Sequence, residues 1–219
     1  DQSSIENVLQ MASGVQWNED YADPASDVNS ASWQTVALYD YLATKKRDAD
    51  PGTEFNYNTA ETNLVGTLLR SAIGNNLATY LEHKIWWPFG MEADAYWTLT
   101  EQGGGEFGGC CINATLRDFG RLGLFALAEG RVGDTSVMAD GWMDDSTTPS
   151  SAYDGYGYLW WLSGAGSYRA TGIFGQGICI HPEENVVVAL QSARSVASAK
   201  QDWALQGALC HATASYLRD

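Results

Sequence analysis

The sequence has few basic residues, and their scarcity excludes several classes of partner. Twelve Lys and Arg stand against 27 Asp and Glu, which gives a formal net charge of −15 over 219 residues. A field of that sign repels phosphate backbones and anionic lipids, so we expect no binding to nucleic acid. An acidic excess of this kind is typical of a well-solvated surface.

Membrane and metal-binding patterns are also missing. No apolar run approaches the roughly 20 residues of a membrane span, and no signal peptide is visible. The cysteines lack a C-x-x-C pair and a His at ligand spacing, so we expect neither a metal nor a cofactor. Buried free thiols are favoured, with one disulfide as the alternative. The four cysteines are Cys110, Cys111, Cys179 and Cys210.

Two common catalytic patterns are absent as well. No G-x-S-x-G with paired His and Asp is present, which disfavours a Ser-His-Asp triad. The glycine-rich stretch from Gly103 to Gly109 lacks the Lys and Ser or Thr of a phosphate-binding loop. The chain opens at Asp1 rather than at Met, so we expect a segment upstream that was removed or left out. Periplasmic, secreted and cytoplasmic locations all remain open.

The residues that are present predict an α+β fold with a sizeable core, since 45% are hydrophobic and 12% aromatic. Two capping boxes are predicted, at Ser3 with Glu6 and at Thr115 with Asp118, and Asp118 is otherwise expected at the surface. Helical spacing predicts helices over 3–12, 32–47, 59–73, 76–87, 115–129, 138–144 and 196–216. Short aromatic or β-branched runs predict strands over 156–162, 168–171, 175–181 and 185–191. Helices followed by antiparallel strands and a last helix indicate α+β.

Two segments carry specific motifs. The first, "PGTEFNYNTAETNLVG" from Pro51 to Gly66, has a Pro-Gly turn, then Tyr57, then a helix with a Leu-x-Gly pattern. The second is "ATGIFGQGICIHPEENVVVAL", from Ala170 to Leu190. Weaker motifs are "YLEHKIWWPFGM", "NATLRDFGRLG" and the opening "IENVLQMASGVQWNEDYADPASD".

In this order and spacing, the motifs resemble those of the serine β-lactamase-fold hydrolases. That family includes class C β-lactamases, penicillin-binding proteins, 6-aminohexanoate-dimer hydrolases and related family VIII esterases. The resemblance implies a β-lactamase/transpeptidase-like fold in one family domain. Residues 1–150 would form a mainly helical subdomain, and residues 151–219 would supply antiparallel strands and the C-terminal helix of an α/β subdomain.

The resemblance also implies roles for individual residues. Tyr57 would be the general base, and the backbone N–H of Ile173 would donate to the oxyanion. Thr59, Thr171 and Gly172 would contact a small ester or amide substrate. Thr59 stands where β-lactamases have Asn, and Ala170 stands where they have Lys. These two departures favour esters or linear amides over β-lactams.

Two aromatic side chains near the start of the chain are further candidates for substrate binding. Trp17 and Tyr21 lie in a polar, irregular segment. They either form a wall of a substrate cleft or pack as ordinary core aromatics, since both uses suit such rings.

The nucleophile of this family lies in S-x-x-K, and no serine of the sequence has Lys three residues later. We therefore expect a C-terminal portion of the fold whose sheet lacks its N-terminal strands, with an exposed edge open to self-association or complementation. This chain alone would be an inactive serine hydrolase. The alternatives are a non-catalytic binding or structural module and a fragment that needs a partner segment bearing S-x-x-K.

Overall fold

The computed structural model describes residues 3–74, 76–198 and 200–218. Its contacts divide the chain into two units. The first comprises Asp1–His83, Ala95–Asn113 and Ser150–Tyr153. The second comprises Lys84–Asp94, Ala114–Pro149 and Asp154–Asp219. The subdomain border near residue 150 stays a prediction.

The first unit is mainly helical. Its helices are α1 (Ile5–Leu9), α2 (Asp27–Ser30), α3 (Thr35–Ala43), α4 (Thr59–Ile73) and α5 (Leu77–Leu81). A π-helical turn over Glu82–Trp86 begins at the end of this segment and continues into residues of the second unit. Strands β1 (Tyr96–Trp97) and β2 (Ile112–Asn113) form an antiparallel pair. The core of the unit consists of buried Trp17, Val28, Ala31, Leu38 and Ala60, and α1 packs against α4.

Several details of the predicted helices are wrong. The capping box of α1 is formed by Ser4 and Asn7 rather than by Ser3 and Glu6, because the Ser3 hydroxyl instead donates to the carbonyl of Ser13 at 2.9 Å. The helix predicted over 32–47 is confined to α3. The helix predicted over 76–87 is divided into α5 and the π-helical turn.

The second unit is built around an antiparallel sheet. Before the sheet come α6 (Leu116–Leu127), a hairpin of β3 (Arg131–Val132) and β4 (Thr135–Ser136), and α7 (Trp142–Ser146). The sheet consists of β5 (Trp161–Leu162), β6 (Tyr168–Thr171), β7 (Gly177–His181) and β8 (Val186–Leu190), paired in that order, and α8 (Lys200–Arg218) follows.

Both faces of this sheet are covered by helices. Gly123 of α6 lies so close to Ile178 and Val187 that an added Cβ would be 2.7 Å and 2.4 Å from their methyl groups. The neighbouring Cys179 bonds to Cys210 of α8. Because successive strand residues point to opposite faces, α6 and α8 lie on opposite sides of the sheet. Strand β8 is the last of the four in order among the described residues.

The strand predictions hold best for the β7–β8 hairpin. The β6 bounds match the prediction, and β7 and β8 pair antiparallel as expected. Asn185 closes their turn in a left-handed conformation, with φ 57°. The strand predicted over 156–162 is wrong for most of its length, because only Trp161–Leu162 pairs with β6 and Tyr156 is buried beside Trp161.

The cysteines form two disulfides, which corrects the expectation of free thiols. Cys110 and Cys111 are bonded to each other in an exposed loop. Cys179 and Cys210 are buried and link β7 to α8 across a sequence separation of 31. A sequence pattern gives little sign of either pairing, since one joins adjacent residues and the other joins a strand to a distant helix.

Replacing Cys179 and Cys210 together by Ala is expected to destabilise the protein by about 3 to 4 kcal/mol, because the crosslink closes a loop of this length in the unfolded chain. Urea unfolding under non-reducing conditions measures the loss. The paired Cys110→Ser and Cys111→Ser variant is the control, since a bond between neighbours closes no long loop. Equal losses in the two double variants would contradict the prediction.

Candidate active site

Tyr57, the predicted general base, lies two residues before α4. The intervening Asn58 caps that helix: its Oδ1 atom accepts hydrogen bonds from the backbone N–H groups of Ala60 at 2.9 Å and Glu61 at 3.3 Å. Asn58 is buried. The start of the helix therefore fixes the backbone next to the tyrosine.

The electrostatic surroundings keep the Tyr57 phenol protonated. Burial, with the negative charge of Glu19, raises the pKa of Tyr57 to about 12. A nearby positive charge would lower that pKa. In the serine β-lactamase-fold hydrolases that the sequence resembles, this positive charge belongs to the Lys of S-x-x-K, and this sequence has no such motif.

The carboxylate of Glu19 is the centre of the hydrogen bonds around this helix start. Its Oε1 atom accepts from the hydroxyl of Tyr21 at 2.9 Å and from the hydroxyl of Thr59. Its Oε2 atom accepts from the indole N–H of Trp17 and from the backbone N–H of Thr59 at 3.1 Å. The hydroxyls of Tyr21 and Thr59 are themselves 3.4 Å apart.

Glu19 therefore brings together three residues that the sequence analysis named separately as substrate contacts: Trp17, Tyr21 and Thr59. Trp17 also packs in the core, with edge-to-face contacts to Trp33 and Tyr41. Sequence reasoning missed Glu19. The available signal was its position, an acid midway between two aromatic residues whose polar ends need partners.

A lysine that lies over the ring of Tyr41 is already paired with a carboxylate. Lys45 forms an ion pair with Asp27 and donates to the hydroxyl of Tyr41 at 3.0 Å. Its Nζ atom lies 4.1 Å from the centroid of the Tyr41 ring. Asp27 thus balances the charge of Lys45. Within the described part of the chain, Glu19 has no ion-pair partner.

A second carboxyl group missed by the sequence analysis is buried near the cap of α4. Glu61 accepts a hydrogen bond from the hydroxyl of Ser13 and a longer one, at 3.5 Å, from the amide of Asn58. Its Oε2 atom is buried without a partner among the described residues. Burial raises the pKa of Glu61 to about 7, and the two hydrogen bonds oppose that rise.

The other predicted site residues lie in the second unit, where β6 ends. Thr171 is the last residue of β6, and its hydroxyl oxygen is buried with no partner in the described structure. Gly172 donates its backbone N–H to the carbonyl of Gln176 at 2.8 Å. Gln206 of α8 holds this turn by donating to the carbonyl of Gln176 at 2.7 Å.

Ile173, the predicted oxyanion donor, follows in the same turn. Its carbonyl accepts from the backbone N–H of Ser198 at 2.8 Å. Its own N–H makes no hydrogen bond to the described residues. The oxyanion role stays a prediction, as do the roles of Tyr57, Thr59, Thr171 and Gly172.

The described residues offer neither a metal site nor a membrane-spanning helix. No group of three or more His, Cys, Asp or Glu there could hold a metal ion. None of the helices in those ranges has both the length and the apolar character to span a bilayer.

Comparison with known proteins gives a family match over most of the chain. The Beta-lactamase family model matches residues 1–210. A 6-aminohexanoate-dimer hydrolase of Paenarthrobacter ureafaciens is 29% identical over 218 residues, covering 88% of this chain and 55% of that protein. The chain therefore spans little more than half of this relative's length.

Solved structures show the same fold. A Bacillus anthracis protein named for 6-aminohexanoate-dimer hydrolase activity superposes with a TM-score of 0.83 at 22% identity, over 99% of this chain and 62% of that one. A penicillin-binding protein homologue from Caulobacter crescentus gives 0.72 at 15% identity, over 99% and 71%. At such identities the likeness shows the fold alone, and it confirms the α+β prediction.

Proposed function

Since the chain belongs to the Beta-lactamase family, we propose that it is the portion of a serine hydrolase that supplies the tyrosine base and one oxyanion donor. The reaction would cleave an ester or amide through an acyl-enzyme. The observation that carries the proposal is the placement of Tyr57 beside the capped start of α4, next to a carboxylate that holds Thr59 and two aromatic side chains.

The proposed reaction needs a base and an oxyanion donor, which this chain would supply, and a serine nucleophile. A serine hydroxyl attacks only when a neighbouring base takes its proton. Tyr57 would be that base, once a lysine ammonium beside it lowers its pKa. The N–H of Ile173 would stabilise the negative charge on the carbonyl oxygen in the transition state. Thr59, Thr171, Gly172, Trp17 and Tyr21 would contact the substrate.

Linear amides and esters suit the site better than β-lactams. Ala170 offers no cation for a β-lactam carboxylate, and Thr59 replaces the asparagine that orients the substrate in that branch. The name of the Paenarthrobacter relative supports the same substrate class, since that protein is a 6-aminohexanoate-dimer hydrolase.

A non-catalytic role is the second candidate, and one observation favours it. Helix α8 presents an apolar stripe to solvent on the side away from buried Cys210, and β8 lies at the end of the sheet order. The stripe is formed by exposed Leu205, Leu209 and Tyr216. Exposed apolar surface and the edges of sheets are both typical of surfaces that bind another chain. Self-association or complementation would take place there.

The 219-residue chain by itself is expected not to hydrolyse a chromogenic ester or a chromogenic cephalosporin, because Tyr57 is protonated and no S-x-x-K is present. The rate should equal that of its Tyr57→Phe variant, and a fluorophosphonate probe should leave no covalent adduct by mass spectrometry. Turnover that Tyr57→Phe abolishes would overturn this expectation and show that the chain holds its own nucleophile. Reading the coding sequence upstream of Asp1 separates a missing segment from a truncated homologue.

A further inference from the structure

The Glu19 carboxylate is fully engaged by the protein. An ionised carboxylate offers about four acceptor sites, and Glu19 receives four hydrogen bonds from the side chains of Trp17 and Tyr21 and from two groups of Thr59. These donors come from two segments that are 40 residues apart in sequence. A carboxylate filled in this way holds the segments together rather than offering lone pairs to a ligand.

We propose that Glu19 is a positioning residue of this site: its carboxylate holds Trp17, Tyr21 and the first residue of α4 in one arrangement, and its negative charge is part of the electrostatic environment of Tyr57. The inference rests on Tyr57 being the base in the proposed function. It adds a residue for which the family motifs gave no role.

The geometry at the start of α4 supports the positioning role. The first N–H groups of a helix have no partner within the helix. Asn58 accepts from two of them, at Ala60 and Glu61, and Glu19 accepts from a third, at Thr59. A negative charge at this end is also favoured by the helix dipole. The loop that carries Trp17 and Tyr21 is therefore tied to the turn that carries Tyr57.

The charge of Glu19 has a separate consequence. It is a contributor to the raised pKa of Tyr57, second to burial, and no cation of the described residues pairs with it. The base would therefore stay protonated until a cation arrives beside it, which makes proton transfer depend on a correctly placed ammonium group.

The Glu19→Gln variant removes the negative charge but can keep the hydrogen bonds of the side chain. The amide oxygen of Gln can face Trp17 and the Thr59 backbone, which only donate. Its NH₂ can face the hydroxyls of Tyr21 and Thr59, which can also accept. Glu19→Ala removes both charge and hydrogen bonds. Glu101→Gln, at an exposed position of the same unit, is the matched control for loss of one negative charge.

Two measurements on the whole chain test the proposal, and neither needs turnover. The first is the ¹⁹F titration of 3,5-difluorotyrosine placed at position 57, whose phenol ionises nearer neutrality than that of tyrosine. We expect Glu19→Gln to lower the pKa of this phenol and Glu101→Gln to leave it unchanged. The second is the Trp17 indole N–H resonance, assigned by its loss in Trp17→Phe. It should move strongly in Glu19→Ala and little in Glu19→Gln.

The outcomes distinguish the two proposals. An unchanged pKa at position 57 in Glu19→Gln would overturn the electrostatic role, and an unmoved Trp17 resonance in Glu19→Ala would overturn the positioning role. A protein extended upstream to include S-x-x-K that still hydrolyses no ester would refute the proposed function but would leave both of these measurements intact.

Discussion

Asp118→Ala is expected to lower the free energy of unfolding by about 3 to 5 kcal/mol, since it removes a buried carboxylate that accepts several hydrogen bonds at once. Asp118 is 0% exposed. Its carboxylate accepts from the backbone N–H groups of Glu92 at 2.7 Å and Ala93 at 3.2 Å, and from the hydroxyl of Thr115 at 2.8 Å. Arg121 lies 3.5 Å from the same group. Without the carboxylate, the two backbone donors lose their partner.

Urea unfolding at pH 7 measures this loss, with Asp134→Ala at an exposed position as the control, where we expect less than about 0.5 kcal/mol. Burial alone would raise the pKa of Asp118, but the hydrogen bonds from Glu92, Thr115 and Ala93 outweigh it and hold the pKa below the ordinary value of 3.8. A depressed pKa contributes stability above the unfolded-state value and loses it as the pH falls. The difference between wild type and variant should therefore shrink below about pH 4. A difference that is independent of pH would contradict this account.

The contacts of Asp118 could be predicted only in part from the sequence. The capping box was predicted from Thr115 and Asp118, and the Thr115 side chain does accept from the Asp118 backbone N–H at 3.2 Å. The expectation that Asp118 is otherwise a surface group is wrong. Its backbone partners lie at residues 92 and 93, some 25 positions earlier, and no local pattern indicates such a contact.

The same difference between local and distant contacts explains which other features could be predicted from the sequence. Helix α4 and the β7–β8 hairpin were predicted because spacing, caps and turn residues lie within each segment. The Cys179–Cys210 bond was missed because it depends on how α8 packs on the sheet. The hydrogen bonds of Glu19 to Thr59 were missed for the same reason, since they span 40 residues.

The largest effect on activity is expected when the chain is extended upstream by its own coding sequence to include S-x-x-K. The lysine of that motif would place a positive charge beside Tyr57 and counter the effects of burial and Glu19 on its pKa. Hydrolysis of a chromogenic ester should then rise from background to a measurable rate. Tyr57→Phe in the extended protein should lower kcat/KM by about 10² to 10⁴-fold, the usual contribution of a general base.

Tyr153→Phe is the matched control for that experiment, because Tyr153 is a partly exposed tyrosine of the same unit whose ring packs against Phe55 at 4.9 Å. Phe keeps that ring contact and loses only the hydroxyl, so kcat/KM should stay within about twofold, which corresponds to a change in barrier below about 0.5 kcal/mol. Equal losses in the two variants would show that Tyr57 acts through folding rather than through proton transfer. An upstream sequence without S-x-x-K would refute the proposal that this chain is part of a serine hydrolase. The non-catalytic role, in which the apolar stripe of α8 and the edge of β8 bind another chain, would then be favoured.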